Sequence, residues 1–330
     1  MRYRQHPGAS GAGTAMKHLR SLSYVAEIAR SGSIRRAAEV LHIAPSALTR
    51  QVQELEYELG TPIFERLAQG MRLNAAGELL VRHIRDQLAD LERVRSQIAD
   101  LSGVRRGHVA LACSQAFVNQ VVPEEVELYR GHFPQVTFTV QVRDHVQAVA
   151  ALAAFEADLA LVLQPPPSSD LQVLFACRQP VCAMMRAGHA LAREAGPVRL
   201  RDCLAHPLAL PDRSLALRHH LDRALARTGA PPPAMESGSL EFLRELVLRE
   251  EVVSFQVPSG IPRDPRLCAR PIDARDLDTM AMILGQFRGR MLPVAAAKFA
   301  DQLASSLNRR YGAAEAGDPA GPAAPRPAPA

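Results

Sequence analysis

The chain has 330 residues, 47% hydrophobic and 22% charged, the composition of an ordinary soluble globular protein with length for two or three compact units. No stretch approaches the roughly 20 apolar residues of a membrane span, and five scattered cysteines without a CxxC pair indicate neither a disulfide framework nor a zinc site. A net charge of +5 permits contact with nucleic acid without arguing for it.

Residues 1–15, MRYRQHPGASGAGTA, lack the apolar core of an export signal. They read as a disordered extension, or as the result of a start codon chosen upstream of Met16, and a cytoplasmic protein with reduced cysteines is expected. Lys17 to Ser31 carries Leu19, Leu22, Val25, Ala26 and Ala29 at helical spacing; Gly32 ends it, and Ser33 is placed to cap the next helix.

That next helix, 34–41, has Ile34, Ala37, Ala38 and Leu41 on one face. His42 to Pro45 breaks the pattern, and proline is tolerated in the first turn of a helix predicted over 45–59. Its inner stripe is expected to be Ala47, Leu48, Val52, Leu55 and Leu59, leaving Ser46, Thr49, Arg50 and Gln53 outside. Two short helices joined by a tight turn, the second showing hydroxyl, guanidinium and amide groups near its start, match a DNA-reading helix-turn-helix. Gly60-Thr61-Pro62 stops the helix and Ile63-Phe64 seals the small core. The segments around Gln69-Gly70 then read as a two-stranded hairpin, a wing that carries Arg66 and Arg72 near the phosphate backbone.

Ala75 to Leu101 is helical, with one heptad core position taking Gly77, Ile84, Leu91 and Ile98 and the other Leu80, Gln87, Val94 and Leu101. Such a seam predicts a dimerising coiled coil, against the alternative of a helix packed on its own domain. From His108 strands and helices alternate. Strands are expected over 109–113, 136–142 and 158–163, with helices over 116–132 and 146–155 between them. This order means an α/β domain. Pro165-Pro166-Pro167 opens a loop, and strand follows over 171–185. Beyond it come helices over 200–204, 215–228, 239–249 and 293–307, and strands over 208–210, 252–255 and 280–284. The Ala/Pro/Gly-rich residues 312–330 read as a disordered tail.

Ser33, Ala37-Ala38, Leu41, Ser46-Ala47, Thr49-Arg50-Gln51, Leu55-Glu56, Leu59-Gly60, Phe64-Glu65-Arg66 and Asn74-Ala75-Ala76-Gly77-Glu78 form a dense pattern. Over Met16 to Leu101 it strongly resembles the LysR-type transcriptional regulators, and 108–307 more loosely resembles that family's effector-binding domain. The resemblance implies a winged helix-turn-helix over 16–74, a linker helix over 75–103 and an effector domain over 104–311. That domain would be of periplasmic-binding-protein type, with subdomain I at 108–178 and 274–310 and subdomain II at 179–273. The fold class is therefore α/β with an all-α N-terminal part. It further implies a homodimer built on the linker helices, commonly a tetramer of dimers, with promoter DNA, a small-molecule effector and RNA polymerase as partners. Two positions depart from the family. Asn74 stands where threonine is usual but can still cap the linker helix, and Arg249-Glu250-Glu251-Val252 replaces a glycine-rich turn.

Ser46, Thr49, Arg50 and Gln53 are the candidates for the major groove, and Arg35, Arg36, Arg66 and Arg72 for phosphates, which fix register rather than sequence. In the effector domain, Ser114 and Gln115 follow the first strand and Gln164 another, while Ser214 and Ser239 precede helices. Strand ends and helix N-termini favour a small polar or anionic metabolite there. Ser114 as a plain helix cap is the competing reading. Of the cysteines, Cys113 and Cys182 lie in apolar strands and Cys203 and Cys268 look near the surface, a weak basis for redox sensing. The histidines show no ligand pair with supporting carboxylates, so neither metal nor cofactor is expected. A solute-binding protein sharing the fold is disfavoured by the helix-turn-helix, and an enzyme by the absence of a nucleophile elbow, phosphate loop or metal cluster.

Overall fold

The computed structural model describes residues 22–67, 70–101 and 106–312, so the expected extension at 1–15 and tail beyond 312 lie outside the described residues. The chain forms two compact units, 1–94 and 95–330.

In the first unit, a helix over 22–31 (α1) is followed by α2 (Ile34–Val40) and α3 (Pro45–Leu59). The Ser33 side chain accepts from the Arg36 N–H at the start of α2, a cap worth about 1 kcal/mol. Ala44 is extended ahead of Pro45, and Gly60 closes α3 in the left-handed conformation. β1 (Phe64–Leu67) and β2 (Gly70–Leu73) pair antiparallel as the wing. Ile28, Leu48, Val52, Ile63, Val81 and Ile84 meet in one core, each contributing about 1.5–3 kcal/mol through burial. Ala47 and Leu59 are exposed, contrary to the expected stripe. The face that α3 buries is narrower, Leu48, Val52 and Leu55.

The long helix α4 (Ala75–Leu101) starts on Asn74, whose Oδ1 accepts from the Gly77 N–H at 2.8 Å while its Nδ2 donates to the Pro62 carbonyl. A Cβ on Gly77 would lie 2.0 Å from the Ile63 carbonyl oxygen, so only glycine lets α4 approach this closely. Gly77, Val81 and Ile84 are buried in the unit's own core. The first two positions of the proposed heptad seam are thus spent within the domain, whereas Gln87 and Val94 are exposed and Leu91 half-buried.

The second unit has two lobes. In the first, β3 (Gly107–Cys113) lies parallel to β4 (Val136–Val142) and β5 (Leu159–Leu163), and β12 (Met280–Phe287) lies antiparallel to β5 and to β6 (Leu171–Gln179). Helices α5 (Val121–His132) and α10 (Val294–Tyr311) pack on one face, where Tyr129, Phe138 and Phe299 make edge-on ring contacts. Helix α6 (His145–Ala153) packs on the other. In the second lobe β7 (Cys182–Arg186) is central to β10 (Ser254–Gln256) and β11 (Leu267–Pro271). Nearby, β8 (Ala209–Pro211) pairs with β9 (Met235–Ser237), accompanied by α7 (Leu200–Cys203), α8 (Ala216–Leu225) and α9 (Leu240–Arg249).

Three expectations need correcting. The strand expected over 171–185 is two strands in different sheets, so the chain changes lobes between Gln179 and Cys182. The helix expected over 116–132 is a single 3-10 turn, Gln115–Phe117, and a separate α5 starting at Val121. Strands β9 and β11 were not expected at all. The turn after α9 needs no glycine, because Glu250 is extended at φ −123°. Among the described residues no helix is long and apolar enough to cross a membrane.

Candidate nucleic-acid interface and effector cleft

On α3, Ser46, Arg50 and Gln53 are exposed opposite the buried Leu48, Val52 and Leu55, and Thr49 is half-buried beside them. The Thr49 hydroxyl donates to the Pro45 carbonyl at 2.9 Å, leaving its methyl and oxygen lone pairs to the outside. Arg50 is paired with Glu54 one turn on, Nε to Oε1 at 2.8 Å, with both side chains more than half exposed (77% and 51%). An exposed pair of this kind contributes about 0.3–0.5 kcal/mol, little enough for a phosphate or a base edge to exchange for the carboxylate. The exposed Ala47 adds a methyl to this face that periodicity had assigned to the core. Arg35 and Arg36 are exposed on α2. On the wing, Arg72 pairs with Glu65 at 2.8 Å across the hairpin, and Arg66 lies on β1 in register with Met71.

In the second unit, the five effector candidates separate into two groups. Ser114 and Gln164 serve the first lobe's own sheet. The Ser114 hydroxyl accepts from the Leu163 N–H at 3.3 Å and makes no cap bond, and the helix whose dipole it was expected to share begins only at Val121. Gln164, at φ +46°, donates its N–H to the Ala281 carbonyl and accepts the Ala281 N–H on Oε1, so its side chain extends the β5–β12 pairing by one rung.

Gln115, Ser239 and Ser214, by contrast, gather where the two lobes meet. Gln115 Nε2 donates to the Gly238 carbonyl at 2.6 Å, and its Oε1 accepts from the Leu240 N–H at 3.0 Å, a bridge across 123 and 125 positions of sequence. Ser239, between them, caps α9 by accepting from the Phe242 N–H at 3.2 Å. Ser214 is not at a helix start, since α8 begins at Ala216; it donates to Asp212 Oδ1 at 2.6 Å, and these bonds hold the Asp212 carboxyl below its ordinary range. Asp212 in turn lies against Gly238, where a Cβ would meet its Oδ2 at 2.7 Å.

Two further cross-lobe contacts involve residues that periodicity did not single out. Asn119 donates to the Glu241 carboxylate at the start of α9. His145, at the start of α6, faces His219 of α8 edge-on with ring centroids 6.2 Å apart. Burial pushes the His145 imidazole below its usual value; Asp144 opposes that and His219 adds to it. Their only signal in sequence was polarity at element ends.

Three of the thiols do not fit redox sensing. Burial pushes Cys113, Cys182 and Cys203 up to about 12, and Cys203, expected near the surface, is fully buried. Among the described residues no three His, Cys, Asp or Glu side chains are placed to share a metal ion.

A winged helix-turn-helix with an exposed polar face, joined to a two-lobed α/β domain whose lobes meet through polar side chains, defines a DNA-binding regulator with a ligand-receiving domain. Residues 19–78 match the bacterial regulatory helix-turn-helix protein of the lysR family, and 102–308 match the LysR substrate binding domain. The chain belongs to the LysR family and is a DNA-binding transcriptional regulator. It is 28% identical to the transcriptional regulator CbbR of Xanthobacter flavus over 233 residues, covering 70% of this chain and 69% of that one. Its fold is shared with a full-length OxyR variant from Pseudomonas aeruginosa, at TM-score 0.66 and 21% identity over 86% of this chain and 94% of that one. Full-length CbnR complexed with its target DNA also shares the fold, at TM-score 0.51 and 20% identity over 87% and 99% of the two chains.

Proposed function

We infer that the chain reads a partly two-fold promoter site with Ser46, Thr49, Arg50 and Gln53 in the major groove, while Arg35, Arg36, Arg66 and Arg72 hold phosphates. The observation that carries this is the exposed polar face of α3 set directly opposite its buried Leu48–Val52–Leu55 stripe. The protein acts in the cytoplasm as a homodimer joined through the linker helix beyond the part its own core uses, around Leu91 and Val94, with pairing of dimers into a tetramer. Each dimer then presents two recognition helices to major grooves about 34–36 Å apart. A small polar metabolite enters between the two lobes near Gln115, Ser214 and Ser239, shifts their relative populations, and so alters how the DNA-bound assembly meets RNA polymerase.

Footprinting the full chain on a duplex selected from a random pool tests the DNA reading. Two protected half-sites about one helical turn apart are expected, with affinity falling as salt rises. Salt-independent binding without a repeated half-site would overturn it.

A further inference from the structure

The contact that joins the lobes has a specific chemistry. Gly238 offers a carbonyl and Leu240 an N–H, two backbone groups bracketing the cap residue Ser239, and the Gln115 carboxamide meets both at once. Only one orientation of that amide pairs both groups, oxygen to the Leu240 N–H and nitrogen to the Gly238 oxygen. A carboxylate in the same place would satisfy Leu240 but set an acceptor against the Gly238 carbonyl. The donor–acceptor couplet is held rigidly. The Asp212 N–H donates to the Ser237 carbonyl at 2.9 Å, Asp212 fills the space beside Gly238, and Ser239 takes the Phe242 N–H. Gln115 is itself fixed, in the 3-10 turn whose Ala116 and Phe117 are buried.

We propose that the Gly238 carbonyl and Leu240 N–H form an amide-recognising subsite on the second lobe, that Gln115 fills it as the chain's own ligand, and that an effector acts by replacing Gln115 there. The group that replaces it carries one donor and one acceptor side by side, as a primary carboxamide or a lactam edge does; a simple carboxylate does not. This rests on the reading of the inter-lobe region as the effector site, and it narrows the metabolite from polar or anionic to amide-bearing. Gln115 is then a positioning residue: it sets how readily the lobes part.

The test uses the full chain and its Gln115→Ala and Gln115→Glu variants, with hydrogen exchange at the Leu240 amide as readout. Gln115→Ala, which loses both hydrogen bonds, is expected to raise exchange at Leu240 about tenfold, and Gln115→Glu, which keeps an acceptor for Leu240 but sets it against the Gly238 carbonyl, is expected to raise it less. Acetamide is expected to restore protection in Gln115→Ala, and acetate at the same concentration to restore clearly less, because a carboxylate meets Leu240 only against the repulsion of the Gly238 carbonyl. Unchanged exchange in both variants would overturn the latch; equal rescue by acetate, or no rescue by acetamide, would overturn the amide subsite. These readouts bear only on the Gly238–Leu240 couplet, so the subsite can fail while the inter-lobe region still takes an effector of other chemistry, which a thermal-shift screen of small metabolites against the full chain reads separately.

Discussion

The exposed polar face of α3 and the meeting point of the two lobes use the same kinds of side chain in opposite ways. On α3 the polar groups stand outside a buried stripe, and their partners are local: the Pro45 carbonyl for Thr49 and the exposed Glu54, four residues on, for Arg50. Between the lobes, Gln115, Asn119 and Ser214 are engaged by groups of their own chain, two of them more than a hundred positions distant. The first arrangement suits a surface kept ready for a large, flat, highly charged partner. The second suits a switch, since a ligand entering it must displace contacts already made and can therefore change the protein.

The contrast breaks most completely at Arg50. Arg50→Ala is expected to lower affinity for the selected duplex by about 10- to 100-fold, the range of one lost bidentate base contact, without changing the thermal midpoint; titration on matched and base-substituted duplexes measures it. Gly238→Ala should act only on the other region. Its Cβ meets Asp212 Oδ2 at 2.7 Å, a carboxylate that can swing aside, so a loss of at most about 1 kcal/mol is expected in denaturant unfolding, with faster exchange at Leu240.

Acidification separates the regions without mutation. His145 and the fully buried His189 both titrate below the ordinary imidazole value, chiefly because burial disfavours the cation. The unfolded chain therefore binds protons first as pH falls through about 6.5, so the stability tied to neutral imidazoles is present above that pH and lost below it. Thermal melts at pH 7.5 and 5.5 should show a lower midpoint in acid, and His145→Gln should reduce the difference. The smallest effect is expected at Glu54→Gln, which frees Arg50 and removes a negative charge from the face. A few-fold gain in affinity for any duplex is anticipated at low salt, disappearing as salt rises.

How far each region can be read from sequence follows from the same difference. Helix faces depend on neighbours three and four positions away, so Leu48, Val52 and Leu55 were legible as core and Arg50 and Gln53 as surface. Ala47 and Leu59 were misplaced because periodicity marks the centre of a stripe better than its edges. Pro123 was a readable signal that α5 could not run from 116, since proline is tolerated only in a helix's first turn. β9 and β11 were hidden for another reason. They are three and five residues long, contain Glu236 and Arg270 within them, and form only because β8 and β7 lie alongside. The Gln115 bridge is invisible in the chain for the same cause, because its partners are backbone groups brought near by the fold. The heptad seam was half-legible: its spacing is real, but Ile84 and Gly77 answer to the domain's own core before any partner helix.

Selection from a random duplex pool by the full chain and by Arg50→Ala, side by side, tests the DNA-reading face most directly. The unmodified chain should enrich a pair of two-fold-related half-sites, and the variant should enrich half-sites that have lost their preference at the position Arg50 reads. Enrichment of the same half-sites by Arg50→Ala would contradict the assignment of α3 as the helix that reads the sequence.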